Sequence, residues 1–283
     1  MSKFLVIGST GNVGGALVTE LLEQGHQVRA LVRDASRAEL LPTGIDIAVG
    51  DLNDAESLTA AATGVDGVFF MQLEPVPAQA ENMIKAARTT GVRRIVVLSS
   101  IGTVLEPLPV IGAGIAARDQ VFRDSGLDIT YLRTNTLMPN ALWWLDTIRA
   151  EGRVYDASDP GKTVPVDTYD IARVAALALT RDGHAGHAYI INGPQALTAR
   201  EQVEILADVL GRPIEFVPLT PEQLAQRSIE QGTPAEFAGA VQNLDELFRA
   251  GRAGVISDDV TNLTGIAPRT FRQWCEEHAD SFR

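Results

Sequence analysis

The residues that can do chemistry begin seven positions into the chain, at Gly8-Ser9-Thr10-Gly11-Asn12-Val13-Gly14. The run follows an apolar segment, Phe4–Ile7, and precedes residues with helical apolar spacing, Val13–Leu22. A first glycine permits the tight strand-to-helix turn. A second lets backbone approach a pyrophosphate with no Cβ in the way, and a third lets the helix pack against the strand. The free N–H groups at the helix start then face an anion. The spacing is GxxGxxG, and its place between strand and helix points to a dinucleotide cofactor. Arg33 ends the second predicted strand, with Arg37 one turn later, and two guanidinium forks there suit the 2′-phosphate of NADP. Asp34 is the competing group, since an acidic side chain at that place bonds the ribose of NAD. Its position before Ala35-Ser36 also suits a helix cap. The two arginines favour NADP, used as NADPH.

Ligands of parallel sheets sit at the carboxyl ends of the strands. Asp51 and Leu52 are expected to border adenine, Met71 and Gln72 the central riboses, and Ser99 the nicotinamide. Ser100, Thr134 and Asn135 are the candidates for polar contact with an acceptor oxygen and thus for catalysis. Ile101, Leu137, Met138, Trp143 and Trp144 are the candidates for an apolar substrate wall.

The elements that must position these residues alternate through the first 135 residues. Strands are predicted at 4–7, 28–32, 45–49, 65–70, 94–98 and 129–132. Helices are predicted at 13–22, 35–41, 55–62, 78–89 and 113–122, and most are followed by a glycine that can stop them. Such alternation gives an α/β fold, a Rossmann-type doubly wound parallel sheet with helices on both faces. Residues 1–135 form the NAD(P)-binding core. Residues 136–283 form a smaller C-terminal α/β lobe with substrate-lobe and capping segments, of which 165–192 returns to the core sheet. In that second half, helices are expected at 136–150, 170–179, 200–210, 221–230, 234–250 and 268–279, and strands at 187–191 and 214–217.

The 283 residues leave ample chain for a buried core. With 24 basic and 36 acidic residues the net charge is −12, which argues against a nucleic-acid footprint or a basic membrane surface. No run reaches the length of a membrane span, and the opening residues lack a signal core, so a cytoplasmic protein with a small-molecule substrate is expected. The single cysteine, Cys275, makes neither an internal disulfide nor a zinc site alone. His184 and His187 lie in a glycine-rich turn with no third ligand nearby, so no metal is expected.

Several segments together resemble the NmrA-like group of atypical short-chain dehydrogenases/reductases. They are GSTGNVGG after FLVI, VRALVRD, GDL at 50–52, GVRRIVVLSSIG at 91–102, SGLDITYLRTNTLMPN at 125–140 and VDTYDIARVAALAL at 166–179. The resemblance covers essentially the whole chain. It implies an NADP-binding fold with substrate held between two lobes, and either NADPH-dependent reduction or cofactor sensing through a protein partner. The usual Tyr-x-x-x-Lys pair is not found. Four residues after Tyr131, Tyr155, Tyr169 and Tyr189 stand Asn135, Asp159, Arg173 and Gly193. The position where the resemblance implies Lys or His is Ile115 or Ala116, while the acidic position after it is kept as Asp119. A reductase of a small, flat, apolar and electron-poor acceptor (a quinone, enone or aromatic ketone) tolerates a missing acid, because water can supply the proton afterwards. The other readings are a redox sensor and a non-redox isomerase or cyclase using Asp119 or Asp167 as base.

Overall fold

A computed structural model describes residues 1–283. In chain order the core elements are β1 (Lys3–Ile7), α1 (Asn12–Glu23), β2 (Gln27–Val32), β3 (Asp46–Val49), α2 (Ala55–Ala62), β4 (Gly67–Phe70), α3 (Pro77–Thr90), β5 (Arg94–Ser100), α4 (Val110–Arg123) and β6 (Asp128–Thr134). There follow α5 (Leu145–Glu151), β7 (Arg153–Asp156), β8 (Lys162–Thr163), α6 (Thr168–Thr180), β9 (Ala188–Ile191), β10 (Leu197–Thr198), α7 (Ala199–Leu210) and β11 (Glu215–Pro218). The chain ends with α8 (Pro221–Glu230), α9 (Ala235–Arg249), α10 (Asp259–Thr264) and α11 (Phe271–His278).

Seven strands make one sheet in the order β3-β2-β1-β4-β5-β6-β9, and every pair is parallel. The period of two along β1 sends Phe4 and Val6 to one face and Leu5 and Ile7 to the other. The first face is closed by Leu17, Val18 and Leu21 of α1 and by Ile171, Ala175 and Leu179 of α6. The second is closed by Leu58 of α2, Met83 and Ile84 of α3 and Phe122 of α4. Both faces are therefore dry, as a parallel sheet requires. The chain runs outward one way through β2 and β3, then returns to begin β4 beside β1. That reversal opens a crevice between β1 and β4 at the carboxyl ends.

A third core holds the C-terminal lobe together, built on Ile148, Val154, Leu206, Phe271, Trp274 and Phe282. Two small sheets join it, β7 with β11 in parallel and β8 with β10 antiparallel. Here the elements differ from the sequence reading. The expected helix over 136–150 is a 3-10 turn, Met138–Trp144, followed by α5. Pro139 explains the break, because it has no N–H and is tolerated only in a first turn. The expected helix at 35–41 is likewise a 3-10 turn, Ala35–Leu40. α11 starts at Phe271 rather than 268, where Thr270 and Gln273 form a reciprocal capping box.

Candidate functional site

A cleft of about 460 Å3 opens at the carboxyl ends of β1, β2, β3 and β4. Its floor is the glycine loop. Gly8 has φ +75, and a Cβ there would run into the Met71 side chain. A Cβ on Gly14 would run into the Gly8 carbonyl, so that residue sets how closely α1 meets β1. Gly11 differs from both. Its backbone is extended, and the nearest atom to an added Cβ is the Gly8 carbonyl oxygen at 3.3 Å. A side chain at Gly11 would project into open cleft rather than into protein, and Gly11 and Thr10 both line that cleft.

The start of α1 is left open. Gly11 is its N-cap and supplies no side-chain acceptor, and the first turn carries no acid. α2, α6, α7, α8 and α11 are capped by Asp54, Asp167, Thr198, Thr220 and Thr270, while α3, α4, α5, α9 and α10 also lack a side-chain cap; what sets α1 apart is that its open start borders the cleft. Uncapped N–H groups beside a cleft form an anion site. Of the other loop residues, Ser9 is buried and donates to the Leu31 carbonyl at 3.3 Å, and Val13 packs in the first core. Asn12 is exposed and faces a separate crevice on the far side of α1.

Arg33 and Arg37 line the cleft, are exposed, and make no ion pair within the chain. Asp34 is already engaged. Its carboxylate accepts from the Ser36 N–H at 2.9 Å to cap the 3-10 turn, and the Ser36 bonds hold its pKa below the ordinary value. Asp51 and Leu52 line the cleft beyond β3. The Asp51 carboxylate accepts from both the backbone N–H and the side-chain amide of Asn53 at 2.8 Å, closing a turn. Met71 and Gln72 line it beyond β4. The Gln72 amide nitrogen donates to the Val76 carbonyl at 3.3 Å, while its oxygen is buried with no partner. An uncapped helix start, an unfilled space at Gly11, two unpaired guanidinium groups and an orphaned amide oxygen together fit a dinucleotide.

The ends of β5 and β6 are built differently. Ser99 is buried and donates to Asp119 at 2.5 Å, and its carbonyl accepts from the Thr134 hydroxyl at 3.2 Å. The Ser100 hydroxyl accepts from the Gly102 N–H at 3.0 Å and caps a 3-10 turn, Ile101–Val104. Asn135 is buried, donates to the Ala253 carbonyl at 2.9 Å and accepts from Thr136 and Val164 N–H groups at 2.8 and 3.3 Å. Three of the candidate polar contacts thus hold backbone together. The Thr136 hydroxyl beside them is buried and unpartnered.

The expected apolar wall is dispersed. Met138 is buried in the third core, Ile101 is buried, Leu137 packs on the first core and Trp144 on the third. Trp143 is 79% exposed, with its side chain in solvent. The exposed apolar groups beyond β4 and β5 are instead Leu73 and Val76, then Val104, Leu108 and Val110. These residues were missed from sequence because they lie in loops. The available signal was the proline-spaced apolar run in Leu73–Pro77 and Val104–Val110, where surface loops are ordinarily polar.

None of the four tyrosines lines the cleft. Tyr131 donates to the Asp119 carbonyl at 2.9 Å, and burial pushes its hydroxyl up to about 12. Tyr155 donates to Glu151, Tyr189 pairs with His184, and Tyr169 lies beside the Arg269 guanidinium.

A family model described as NAD(P)H-binding matches residues 8–182. The chain belongs to this NAD(P)H-binding family. It is 36% identical to an NAD(P)H azoreductase of Xenophilus azovorans, with 98% of each chain covered. It is 37% identical to the (4-alkanoyl-5-oxo-2,5-dihydrofuran-3-yl)methyl phosphate reductase of Streptomyces griseus, again over 98% of each. Among solved structures, triphenylmethane reductase of a Citrobacter species complexed with NADP(H) superposes with a TM-score of 0.83 at 25% identity, covering 98% of this chain and 99% of that one. A mutant NmrA shares the fold at a TM-score of 0.80 and 18% identity, over 98% and 94%. The family's NmrA-like, doubly wound architecture is the one described above, and no helix of the chain is long and apolar enough to cross a membrane.

Proposed function

We propose that this chain is an NADPH-dependent reductase of a flat, apolar, electron-poor acceptor of the quinone, enone, azo or aromatic-ketone kind. The observation that carries the reading is the contrast in polar commitment along the strand ends. The cleft over β1–β4 holds uncommitted groups suited to a fixed, highly charged ligand. The rim beyond β4 and β5 offers mostly apolar side chains. Two full-length relatives named as reductases support the same reading.

Bound NADPH would supply the hydride. The chain's own part is to hold and orient. The start of α1 and the backbone at Gly11 take the pyrophosphate, and Arg33 with Arg37 takes the 2′-phosphate. Gln72, through its free oxygen, bonds a ribose hydroxyl. Leu73, Val76, Val104, Leu108 and Val110 form an apolar rim that excludes water from the transfer. No tyrosine is set beside a lysine to donate a proton, so protonation of the reduced acceptor falls to solvent. The non-redox alternative is disfavoured. Both carboxylate oxygens of Asp119 are engaged by Arg118 and Ser99, and a buried base needs a free oxygen. Asp167 caps α6 through one oxygen; the other makes no hydrogen bond, but it is charge-paired with Arg269 at 3.1 Å and does not line the cleft over β1–β4.

The test is direct. Protein and NADPH are mixed with a panel of quinones, enones, azo dyes and aromatic ketones, and loss of the reduced-nicotinamide absorbance is followed. Turnover above the protein-free rate with at least one acceptor is expected. Confirmed NADPH binding with no turnover across the panel overturns the reductase reading in favour of a sensor.

A further inference from the structure

The crevice on the far side of α1 has a volume of about 260 Å3 and shares no lining residue with the cleft over β1–β4. Its walls come from α1, from the 3-10 turn at Met138–Trp144, from the start of α6 and from α11. It therefore lies where the core meets the C-terminal lobe. At roughly 30 Å3 per water it has room for about nine of them.

Two deeply buried side chains in its wall have polar atoms to spare. The Asp167 side chain is 1% exposed. Its Oδ1 accepts from the Tyr169 N–H at 3.0 Å, but its Oδ2 is buried without a hydrogen bond. Arg269 lies 3.1 Å from that carboxylate and balances its charge, at an angle that makes no hydrogen bond. Trp274 is 1% exposed, and its ring is held by stacking with Phe271 and His278, at centroid distances of 5.8 and 4.4 Å. An indole N–H can only donate. That of Trp274 has no partner in the chain and is not sealed from solvent, and the opening Trp274 lines is this crevice. His278 adds an acceptor. Its Nδ1 bonds the Trp274 carbonyl at 2.9 Å, so Nδ1 carries the proton and Nε2 of the neutral ring is left to accept. Buried polar groups are ordinarily satisfied, so a donor and an acceptor left over in one crevice call for a partner that is both.

The chemistry of the wall selects the class of ligand. No lysine or arginine lines the crevice, so an anion finds no counter-charge there. Its one carboxylate is already balanced by Arg269, so a cation gains little. Hydroxyl groups both donate and accept. Pro139 and Leu142 complete the wall with apolar surface suited to the C–H faces of a polyol. We propose that this crevice is a binding site for a neutral polyhydroxylated molecule of monosaccharide size, with one hydroxyl donating to Asp167 Oδ2 and another accepting from the Trp274 N–H. The site is separate from the dinucleotide cleft and does not rest on the reductase reading.

The chain has three tryptophans, so nitrogen–proton correlation spectra of the full-length protein carry three indole signals. Trp143→Phe and Trp144→Phe assign two of them and leave the third to Trp274 with its ring intact. Glucose, myo-inositol, glycerol and, as the cationic control, butylamine are titrated into the wild-type protein without cofactor. The Trp274 indole signal is expected to move saturably with glucose or myo-inositol while those of Trp143 and Trp144 stay in place. Asp167→Asn keeps an oxygen to cap α6 but loses the carboxylate acceptor, and should weaken that binding by about fivefold or more. Three results overturn the proposal. The Trp274 signal stays still with every polyol, so the crevice holds only water; it moves with butylamine alone, so the site takes a cation; or Asp167→Asn, folded by the same spectra, binds the polyol as tightly as wild type. NADPH added to the same sample tests separateness. A Trp274 shift that NADPH reproduces and the polyol then cannot add to would make the crevice part of the cofactor site and overturn it as a site of its own.

Discussion

The two halves of the sheet's carboxyl edge handle polar groups in opposite ways. Over β1–β4 they are left unsatisfied: the start of α1 is uncapped, Arg33 and Arg37 have no ion partners, and the Gln72 oxygen is orphaned. Over β5–β6 the candidate polar contacts are used by the protein itself, with Ser99, Ser100, Thr134, Asn135 and Asp119 all bonded and only the Arg133 Nε and the Thr136 hydroxyl left without partners. A site that always meets the same ligand can leave specific donors waiting for it. A site that meets acceptors of varying shape gains from rigid backbone and apolar rim, with few directional demands. On the proposed reading, the difference separates residues that bind from residues that stand near the chemistry.

The largest expected effect breaks the β1–β4 half alone. Gly11→Val places a side chain in the open space where the pyrophosphate would lie. Its backbone is extended, and the one close atom, the Gly8 carbonyl oxygen at 3.3 Å from the added Cβ, has to give by only a few tenths of an ångström, so the loss of stability should be small. NADPH binding should disappear in calorimetry while the melting temperature stays near that of wild type. Gly14→Val is the control with the opposite signature. Its Cβ meets the Gly8 carbonyl, so binding and thermal stability should fall together.

The second effect probes the β5–β6 half. Asn135 was a catalytic candidate by sequence, yet its side chain ties three segments together: the end of β6, Val164 and Ala253. Asn135→Ala leaves a buried carbonyl and two N–H groups without partners. That costs about 3 kcal/mol, which lowers the melting temperature by roughly 5–10 °C. Activity measured well below the melting point should fall little. A large loss of kcat with unchanged stability would return Asn135 to the reacting centre.

This case shows what sequence carries and what it does not. The core sheet was legible because a parallel strand buried on both faces reads as a short apolar run, and the glycines that end its helices are conspicuous. That Gly8, Gly11 and Arg33 would border one cleft was legible because it depends on place in a strand–turn–helix unit, which is local. Asn135 was not, since its partners lie 29 and 118 residues away. Trp143 and Met138 were mistaken for a cleft wall because Pro139 turns the segment into a 3-10 bend, sending one side chain to solvent and the other into the lobe core. β7, β8 and β10 are short, of two to four residues, and too brief for any periodicity to register.

A third effect is pH-dependent and also belongs to the acceptor side. Asp245 lies on α9, which is tied to the start of α4 by a bond from the Val110 N–H to Asn243 at 3.0 Å. Burial, then the charges of Asp156 and Glu246, push its carboxyl up to about 7. The folded state therefore holds a proton that the unfolded chain, with an ordinary value near 3.8, has released. Stability contributed by this group is present below pH 4 and is lost as pH rises through about 7. Asp245→Asn cannot ionise. Its melting temperature should match wild type at pH 4 and exceed it by roughly a few degrees at pH 8. Parallel curves for the two proteins across that range would show that Asp245 is solvated after all.

The smallest expected effect sharpens the β1–β4 half. The chain carries a net charge of −12, so its overall field repels a ligand as anionic as NADPH. Local cations must overcome that field, and Arg33 and Arg37 are the unpaired ones at the cleft mouth. Both are exposed, so water and salt screen them, and Arg33→Ala should reduce the preference for NADPH over NADH by only about tenfold. Raising salt should shrink the wild-type preference in the same direction and leave NADH binding nearly unchanged. Asp34→Ala separates the two uses of that acid. If Asp34 only caps the turn at Ala35–Leu40, the variant melts slightly below wild type and NADH binding is unaffected. If NADH binding collapses instead, Asp34 is a ribose ligand, and the arginines beside it do not make this an NADPH site.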